Sequence, residues 1–200
     1  MSITETIMGS VQIKKYIKES LRNNWIGTPW EHYQPLTPKH KGGLGEMLIE
    51  KFMVKHGHAV KPAKDTGHDR IIDGIKTEAK FSLANSNAKN NVKLIDPNSF
   101  MINHISVGKS WEKLIFFGIN PEKDNPNVRQ GEYSDWSSER IYVMDKEGFT
   151  AHVRKRETFP FSKQQSGNKG RNDDWMVAGV KAFEAFTKLS FVKEYKGGTF

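Results

Sequence analysis

The sequence contains no cysteine among its 200 residues. A chain without thiols cannot form a disulfide framework, a thiolate nucleophile, a cysteine-ligated zinc site or an iron–sulfur cluster. Any bound metal must therefore be held by carboxylate, imidazole or carbonyl groups. The sequence also lacks an apolar run approaching the roughly 18 residues of a membrane span, and its start lacks the apolar core of a signal peptide. These absences predict a soluble, cytoplasmic protein that does not associate with membranes.

Acidic side chains are in the minority. Lys and Arg together number 31 against 23 Asp and Glu, so the formal net charge is +8. An excess of positive charge favours a polyanionic partner. Hydrophobic residues make up only 36%, but 11% of the residues are aromatic, which argues against disorder. The length suits one domain with its own core, and we expect a single domain over residues 1–200.

Two helical patterns lie in the amino-terminal part of the chain. Apolar residues recur at spacings of three and four over residues 10–21 and again over residues 44–56. Gly57 follows the second pattern and is typical of a helix carboxyl terminus. Between the two, residues 25–41 contain three prolines and two tryptophans. This composition predicts an ordered loop arm.

Strand patterns dominate the middle of the chain. Residues 58–61 are a short candidate, and the runs 69–73 and 75–83 flank Asp73-Gly74, a strong β-hairpin signal. Residues 113–119, KLIFFGI, are apolar enough for a buried central strand.

The remaining elements complete the predicted fold. Residues 99–109 resemble a helix, residues 140–144 and 149–153 a second hairpin, and a last helix starts at Asp173 or Asp174 and runs to Leu189. This order predicts an α/β or α+β protein with a central mixed β-sheet flanked by helices.

The first hairpin gathers charged side chains. If Asp73 and Gly74 are the central residues of a type I′ turn, Asp69 faces Glu78 across the strands, and two carboxylates so close favour a bound cation. Strand alternation places Lys80 on the same face as Glu78. A pair of carboxylates suits Mg²⁺, and the lysine can hold or deprotonate a water and neutralise a phosphate. This combination predicts metal-dependent phosphodiester hydrolysis. The alternative is a solvated charged strand face with a weak salt bridge.

The segment 67–80, GHDRIIDGIKTEAK, resembles the active-site hairpin of the PD-(D/E)xK nucleases, which have the restriction-endonuclease-like fold. Upstream, GGLGE at 42–46 is similar to the family's preceding helix. The resemblance implies a restriction-endonuclease-like core in which Asp69 and Glu78 bind Mg²⁺ with the carbonyl of Ala79. It also implies that Lys80 handles the attacking water and that Glu46 assists. His68 stands where the motif has proline.

Within this family a small chain with one catalytic core is most similar to a type II restriction endonuclease. The resemblance implies a Mg²⁺ cofactor, sequence-specific cleavage of double-stranded DNA, 5′-phosphate products and often a homodimer. Residues 1–41 would then be a helix and loop arm, 42–120 the catalytic core, and 121–200 the second hairpin, a basic loop and the last helix. A repair nickase, a junction resolvase and a phage nuclease of the same fold are alternatives, and a non-catalytic DNA-binding protein is an alternative of another class.

A second concentration of charge lies away from the hairpin. Residues 154–171 carry six Lys and Arg against one Glu, and residues 86–91 are rich in Asn. Such side chains reach base edges as well as phosphates, although an ordinary solvated loop is the alternative for both segments. The predicted DNA contacts are Lys163, Gln164, Gln165, Asn168, Lys169, Arg171, Asn87 and Asn90. Asp73 is assigned to turn chemistry.

Overall fold

The computed structural model describes residues 24–25, 27–33, 35–85, 94–129, 137–164 and 173–200. The chain divides into two compact units, residues 1–35 and 36–200. In the first, backbone N–H groups donate to carbonyls three residues earlier at Thr28, Glu31 and Tyr33. These successive turns agree with the irregular arm predicted there. The helix predicted over residues 10–21 lies outside the described residues.

The described part of the second unit contains three helices and nine strands. The helices are α1 (Pro38–Lys55), α2 (Lys146–Val153) and α3 (Val180–Phe186). The strands are β1 (Val60–Pro62), β2 (Arg70–Ile72), β3 (Ile75–Leu83), β4 (Met101–Ser106), β5 (Lys113–Ile119), β6 (Glu139–Asp145), β7 (Ser162–Lys163), β8 (Asp174–Ala178) and β9 (Val192–Glu194).

The strands form two sheets. The larger has the order β1-β2-β3-β5-β6-β9, and the smaller has the order β4-β8-β7. In the larger sheet β3 and β5 are parallel, whereas every other pair is antiparallel. The smaller sheet is antiparallel throughout. The predicted α+β class with a mixed sheet is confirmed. No helix in the described ranges combines the length and the apolar character needed to cross a membrane.

Helix α1 begins earlier than the apolar pattern at residues 44–56 predicts. Thr37 is the N-cap and its side chain accepts a hydrogen bond from the N–H of His40, while Pro38 occupies the first turn. The prediction of an irregular arm as far as residue 41 is therefore wrong for its last four residues. The end agrees with the prediction, since Gly57 has a φ of 89°.

Helix α1 packs across β3 and β5 through aromatic side chains. The ring of Phe117 lies 5.2 Å from that of Phe52 and 6.0 Å from that of Phe81, measured between centroids. Gly45 approaches β3 so closely that a Cβ there would lie 2.5 Å from the Cβ of Phe81. This contact brings the first half of α1, including Glu46, next to the β2–β3 hairpin.

Strand β5 is the buried centre of the larger sheet, as the KLIFFGI run predicts. Every residue after Lys113 in this strand is buried. On the face opposite α1, the ring of Phe116 lies 5.4 Å from the rings of both Phe100 and Phe183. The sheet is therefore covered on both faces, which explains why β5 is continuously apolar.

The helix predicted over residues 99–109 is wrong, because this segment contains strand β4. The pairing of β4 with β8 shifts register between Ile102 and Ile105, and His104 has a φ of 54°. A bulge of this kind adds residues to one strand. Two buried isoleucines consequently stand three apart, which is the spacing of a helix.

The second predicted hairpin is also wrong in its second strand. Residues 146–153 form α2, whose buried residues are Phe149 and Val153. Their spacing of four is helical. The run DKEG, read as a turn, instead contains the N-cap Asp145 and the first turn of the helix.

The last predicted helix, starting at Asp173 or Asp174, is divided into a strand and a helix. In β8, Trp175 and Val177 are buried and alternate with more exposed residues. Gly179, with a φ of 84°, then separates β8 from α3. Only the second part of the predicted helix is helical, because a positive φ interrupts the right-handed geometry.

Candidate functional site

The β2–β3 hairpin has the predicted register. Asp73 and Gly74 connect the strands with φ values of 50° and 87°, the positive values that a type I′ turn requires. Arg70 pairs with Thr77. The backbone N–H of Asp69 donates to the carbonyl of Thr77 at 3.0 Å. Asp69 therefore stands at the open end of the hairpin, one position beyond the last strand pair.

Asp69 is half-buried, and its surroundings disfavour its charge. Its Oδ2 accepts a hydrogen bond from the backbone N–H of Ala79 at 2.8 Å. Burial raises the pKa of Asp69 and the charge of Glu78 raises it further, against the lowering effects of the Ala79 N–H and of Lys80. The two carboxylates are therefore close enough to repel each other, as their predicted facing positions require.

Glu78 is almost completely buried, with 1% of its side chain exposed. Its Oε1 accepts hydrogen bonds from the Nζ atoms of Lys80 and Lys109, each at 2.7 Å. Its Oε2 is buried and has no hydrogen-bond partner among the described residues. Leaving such an atom unpaired costs about 1–3 kcal/mol. Glu78 thus presents one oxygen to the lysines, while its other oxygen is buried without a partner among the described residues.

Lys109 was not identified from the sequence. It lies on the turn after β4, and its ammonium donates to Oε1 of Glu78 at 2.7 Å. Burial by itself lowers the pKa of Lys109, but the hydrogen bond and charge of Glu78, with Asp69 and Asp174, outweigh burial and raise it. The local sequence VGKS carries no signal for this role, because the contact depends on how two sheets meet.

The turn that carries Lys109 is held by long-range hydrogen bonds. Oδ2 of Asp173 accepts from the hydroxyl of Ser106 at 2.8 Å and from the N–H of Gly108 at 3.2 Å. The ammonium of Lys146 donates to the carbonyl of Lys109. These contacts fix the backbone from which the Lys109 side chain extends. We name Asp69, Glu78, Lys80 and Lys109 the carboxylate–lysine cluster.

Glu46 lies close to the cluster but is engaged in a salt bridge. Its Oε2 accepts from Nη1 of Arg70 at 3.0 Å, and Glu50 accepts from Nε of the same guanidinium at 2.9 Å. Burial raises the pKa of Glu46, the charge of Asp69 raises it further, and Arg70 lowers it. Glu46 is therefore close enough to Asp69 for that charge to affect its pKa, and its salt bridge with Arg70 connects α1 to β2.

The donor atoms of the cluster suit Mg²⁺. No three His, Asp or Glu side chains are gathered into a metal-binding group in the described part of the chain. Mg²⁺ usually takes one or two protein carboxylates and fills its other positions with water and phosphate oxygens. Asp69 and Oε2 of Glu78, which has no partner among the described residues, are the two carboxylate groups that could hold such an ion. Ala79, the third ligand that the resemblance implies, lies beside them on β3.

The turn at the other end of the hairpin is bonded differently. Oδ2 of Asp73 lies 2.6 Å from Nδ1 of His58, and Oδ1 accepts from the N–H of Ala59 at 2.9 Å. His58 Nε2 lies 2.5 Å from the hydroxyl of Tyr195. The hydrogen bond with His58, followed by that from Ala59, lowers the pKa of Asp73. Asp73 belongs to the turn and its packing, as predicted.

His68 precedes Asp69 and is buried. Its Nδ1 lies 3.2 Å from Oδ1 of Asp65, so a loop carboxylate holds the ring. His68 thus occupies the motif's proline position as a buried residue fixed by its own loop.

Two of the predicted DNA contacts are described, and both lie on the smaller sheet. Nζ of Lys163 stands 4.5 Å from the ring centroid of Trp175. Oε1 of Gln164 accepts from the backbone N–H of His104 on β4 at 2.8 Å. The remaining predicted contacts lie outside the described residues: Gln165, Asn168, Lys169, Arg171, Asn87 and Asn90.

Comparison of the chain with protein-family models, with curated proteins and with solved structures found no match. The geometry of the carboxylate–lysine cluster therefore bears most directly on function. Two carboxylates repel each other, two ammonium groups share one carboxylate oxygen, and a second oxygen is buried without a partner among the described residues.

Proposed function

We propose that the protein is a Mg²⁺-dependent endonuclease that hydrolyses phosphodiester bonds in double-stranded DNA. We further propose that it has a restriction-endonuclease-like core and cuts at specific sequences, as type II restriction endonucleases do. Glu78 carries the proposal, because its buried side chain has one oxygen on two lysines and another without a partner among the described residues. Burial and the charge of Glu78 raise the pKa of Asp69 in the same cluster, and groups with perturbed pKa values concentrate at functional sites.

In the proposed site, Asp69, Glu78 and the carbonyl of Ala79 hold the metal. When bound, Mg²⁺ lowers the pKa of coordinated water and offsets the charge of the phosphate. Lys80, whose ammonium lies 2.7 Å from Glu78, holds the attacking water. The water oxygen bonds to phosphorus while the P–O3′ bond breaks. The water gives up a proton to solvent as it attacks and the departing O3′ takes one up from solvent, so the products carry a 5′-phosphate and a 3′-hydroxyl.

The charge distribution supports a DNA substrate. The chain carries a net charge of +8, and Lys163 and Gln164 extend from the smaller sheet, whose strand β4 leads into the turn of Lys109. Contacts of Lys and Arg with phosphate supply much of the affinity for DNA. We propose that Lys163 and Gln164 contact the DNA that the cluster cuts.

Incubation with supercoiled plasmid and linear duplex DNA tests the proposal. We expect discrete fragments with 5′-phosphate ends in Mg²⁺ and none in EDTA. The Glu78→Gln and Lys80→Ala variants should lose cleavage, whereas Lys181→Ala, an exposed lysine on α3, serves as the matched control. Sequencing of the fragment ends gives the cleaved bond and any sequence preference.

Other outcomes would change the assignment. Nicks without double-strand breaks would indicate a repair nickase, and cleavage confined to branched DNA would indicate a junction resolvase. Binding that survives chelation, with no cleavage in Mg²⁺ or Mn²⁺, would indicate a non-catalytic DNA-binding protein. Cleavage by Lys80→Ala at the wild-type rate would overturn the proposed mechanism.

A further inference from the structure

We infer that Lys109 is a phosphate-binding residue, which donates a hydrogen bond to a non-bridging oxygen of the phosphodiester that is cut. The inference rests on the proposed function. It assigns a role to a lysine outside the hairpin motif, in the turn between β4 of the smaller sheet and β5 of the larger sheet.

The two lysines of the cluster come from different elements and donate to the same oxygen of Glu78. Lys80 belongs to β3, whereas Lys109 follows β4 of the smaller sheet. Both Nζ atoms lie 2.7 Å from Oε1 of Glu78, but 18% of the Lys80 side chain is exposed against 34% for Lys109. Lys109 therefore lies on the outer side of the cluster, where a polymeric substrate can approach.

Hydrogen-bonding capacity is also available on Lys109. An ammonium has three N–H donors, and the contact with Glu78 uses one of them. A phosphate oxygen beside Lys109 would be a charge-assisted acceptor, which is the strong class of hydrogen bond.

The charge of the cluster favours an anionic ligand once a cation is present. The carboxylates of Asp69 and Glu78 balance the ammonium groups of Lys80 and Lys109. A divalent cation on the carboxylates leaves an excess of positive charge. A phosphodiester anion then reduces that excess, so the second lysine contributes to substrate binding.

The backbone under Lys109 is fixed before any substrate arrives. A Cβ at Gly108 would lie 2.6 Å from Oδ2 of Asp173, so the turn is in close contact with the residue before β8. Asp173 and Lys146 both hydrogen-bond to the turn. Pre-organised donors stabilise charge in a transition state without reorganisation.

Equilibrium binding to a short duplex, without cleavage, is the first test. In Ca²⁺, Lys109→Met should weaken binding about tenfold. It should also reduce the slope of log K against log salt concentration by about 0.9, the value for one phosphate contact. Lys181→Met, at an exposed position on α3, should leave both quantities unchanged. A wild-type salt slope for Lys109→Met would overturn the inference.

Cleavage of phosphorothioate DNA shows whether Lys109 contacts a phosphate oxygen directly or only supports the structure of the site. We expect Lys109→Met to lower kcat about 10²-fold, with partial recovery in Lys109→Arg. At the cleaved bond, one phosphorothioate configuration should slow the wild-type protein without rescue by Mn²⁺. That same configuration should have no added effect on Lys109→Met. Equal, additive effects in both proteins would overturn the inference.

The controls distinguish the two proposals. Thermal unfolding verifies that Lys109→Met folds, and Lys109→Gln replaces it in every assay if it does not. A wild-type protein that binds DNA but never cuts it disproves the endonuclease, while the salt slopes still decide whether Lys109 contacts a phosphate. A wild-type protein that cuts, with an equally active Lys109→Met, disproves the inference alone. A wild-type protein that does not bind DNA disproves both.

Discussion

The two ends of the β2–β3 hairpin carry aspartates in opposite environments. Asp73, at the turn, is bonded to His58 and Ala59, and these hydrogen bonds lower its pKa. Asp69, at the open end, has its pKa raised by burial and by the charge of Glu78. One short element thus contains a carboxylate whose charge is stabilised by the fold and another whose charge is opposed by it.

The opposite pKa shifts distinguish Asp73, which supports the turn, from Asp69, which is proposed to take part in the chemistry. A carboxylate that is satisfied within the protein contributes to stability. A carboxylate held beside another, with little compensation, is retained at a cost and is typical of a functional site. The same hairpin therefore uses its turn end to fix the register and its open end to present charge.

The largest difference between the two ends of the hairpin is expected when each aspartate is replaced by asparagine and the rate of DNA cleavage is measured. Asp69→Asn should lower the rate of DNA cleavage by about 10³-fold or more, because it removes a proposed ligand of Mg²⁺. Asp73→Asn should cleave at nearly the wild-type rate, because Asn-Gly also forms a type I′ turn. Initial rates on plasmid DNA measure the difference, and comparable losses in the two variants would contradict it.

Substitutions at two glycines of α1 test how closely this helix packs against β3 beside the open end of the hairpin. Gly45→Ala should lower the free energy of unfolding by about 1–3 kcal/mol, because the new methyl group would meet Phe81. Gly43→Ala, with nothing within 4 Å of the new Cβ, should instead raise it by about 0.5–1 kcal/mol through helix propensity. Urea denaturation of both variants gives these values, and a stabilised Gly45→Ala would show that α1 is not seated as described.

Asp69 should also lower stability when no metal is bound. Its pKa is higher in the folded protein, so ionisation disfavours folding above that pKa, and acidification through it relieves the penalty. Asp69→Asn should therefore melt above the wild-type protein at neutral pH in EDTA, and the gap should narrow as the pH falls. Mg²⁺ should raise the melting temperature of the wild-type protein alone. A lower melting temperature for Asp69→Asn in EDTA would contradict this.

The smallest change in melting temperature is expected for Asp73→Asn, at the turn, and it is opposite in sign to that of Asp69→Asn. The pKa of Asp73 is lowered in the folded protein, so its contribution is present above its unfolded pKa and is lost as the pH falls through the folded value. Asp73→Asn should melt slightly below the wild-type protein at neutral pH, and the two should converge in acid. Melting curves across this pH range measure the effect, and a gap that persists in acid would implicate the turn geometry instead.

Local signals were enough to predict the hairpin and β5. Asp73-Gly74 fixes the turn type, and the turn type fixes the partner of every nearby residue. The apolar run of β5 is buried because the sheet is covered on both faces. The predicted pairing of Glu78 with Lys80 on one face needed only strand alternation.

Other elements were predicted wrongly because the spacing of apolar residues in the sequence depends on tertiary contacts as well as on the local secondary structure. A bulge in β4 places the buried residues Ile102 and Ile105 three positions apart. The apolar spacing of this strand is therefore the spacing that predicts a helix. Lys109 could not be found at all, since its contact with Glu78 depends on Asp173 and Lys146, which are distant in sequence. The three members of the cluster within one hairpin were predicted from the sequence, whereas Lys109, which comes from the turn between β4 and β5, was not.

The hydrogen bonds of Asp173 to the turn of Lys109 have a consequence during synthesis. A chain emerges from the ribosome amino terminus first, so the hairpin motif is complete well before Asp173 and β8 are made. Until then, nothing from β8 holds the Lys109 turn. If the protein cuts DNA as proposed, a nascent or truncated chain carries the motif without the supported second lysine, so full activity arises only after Asp173 and β8 have been made.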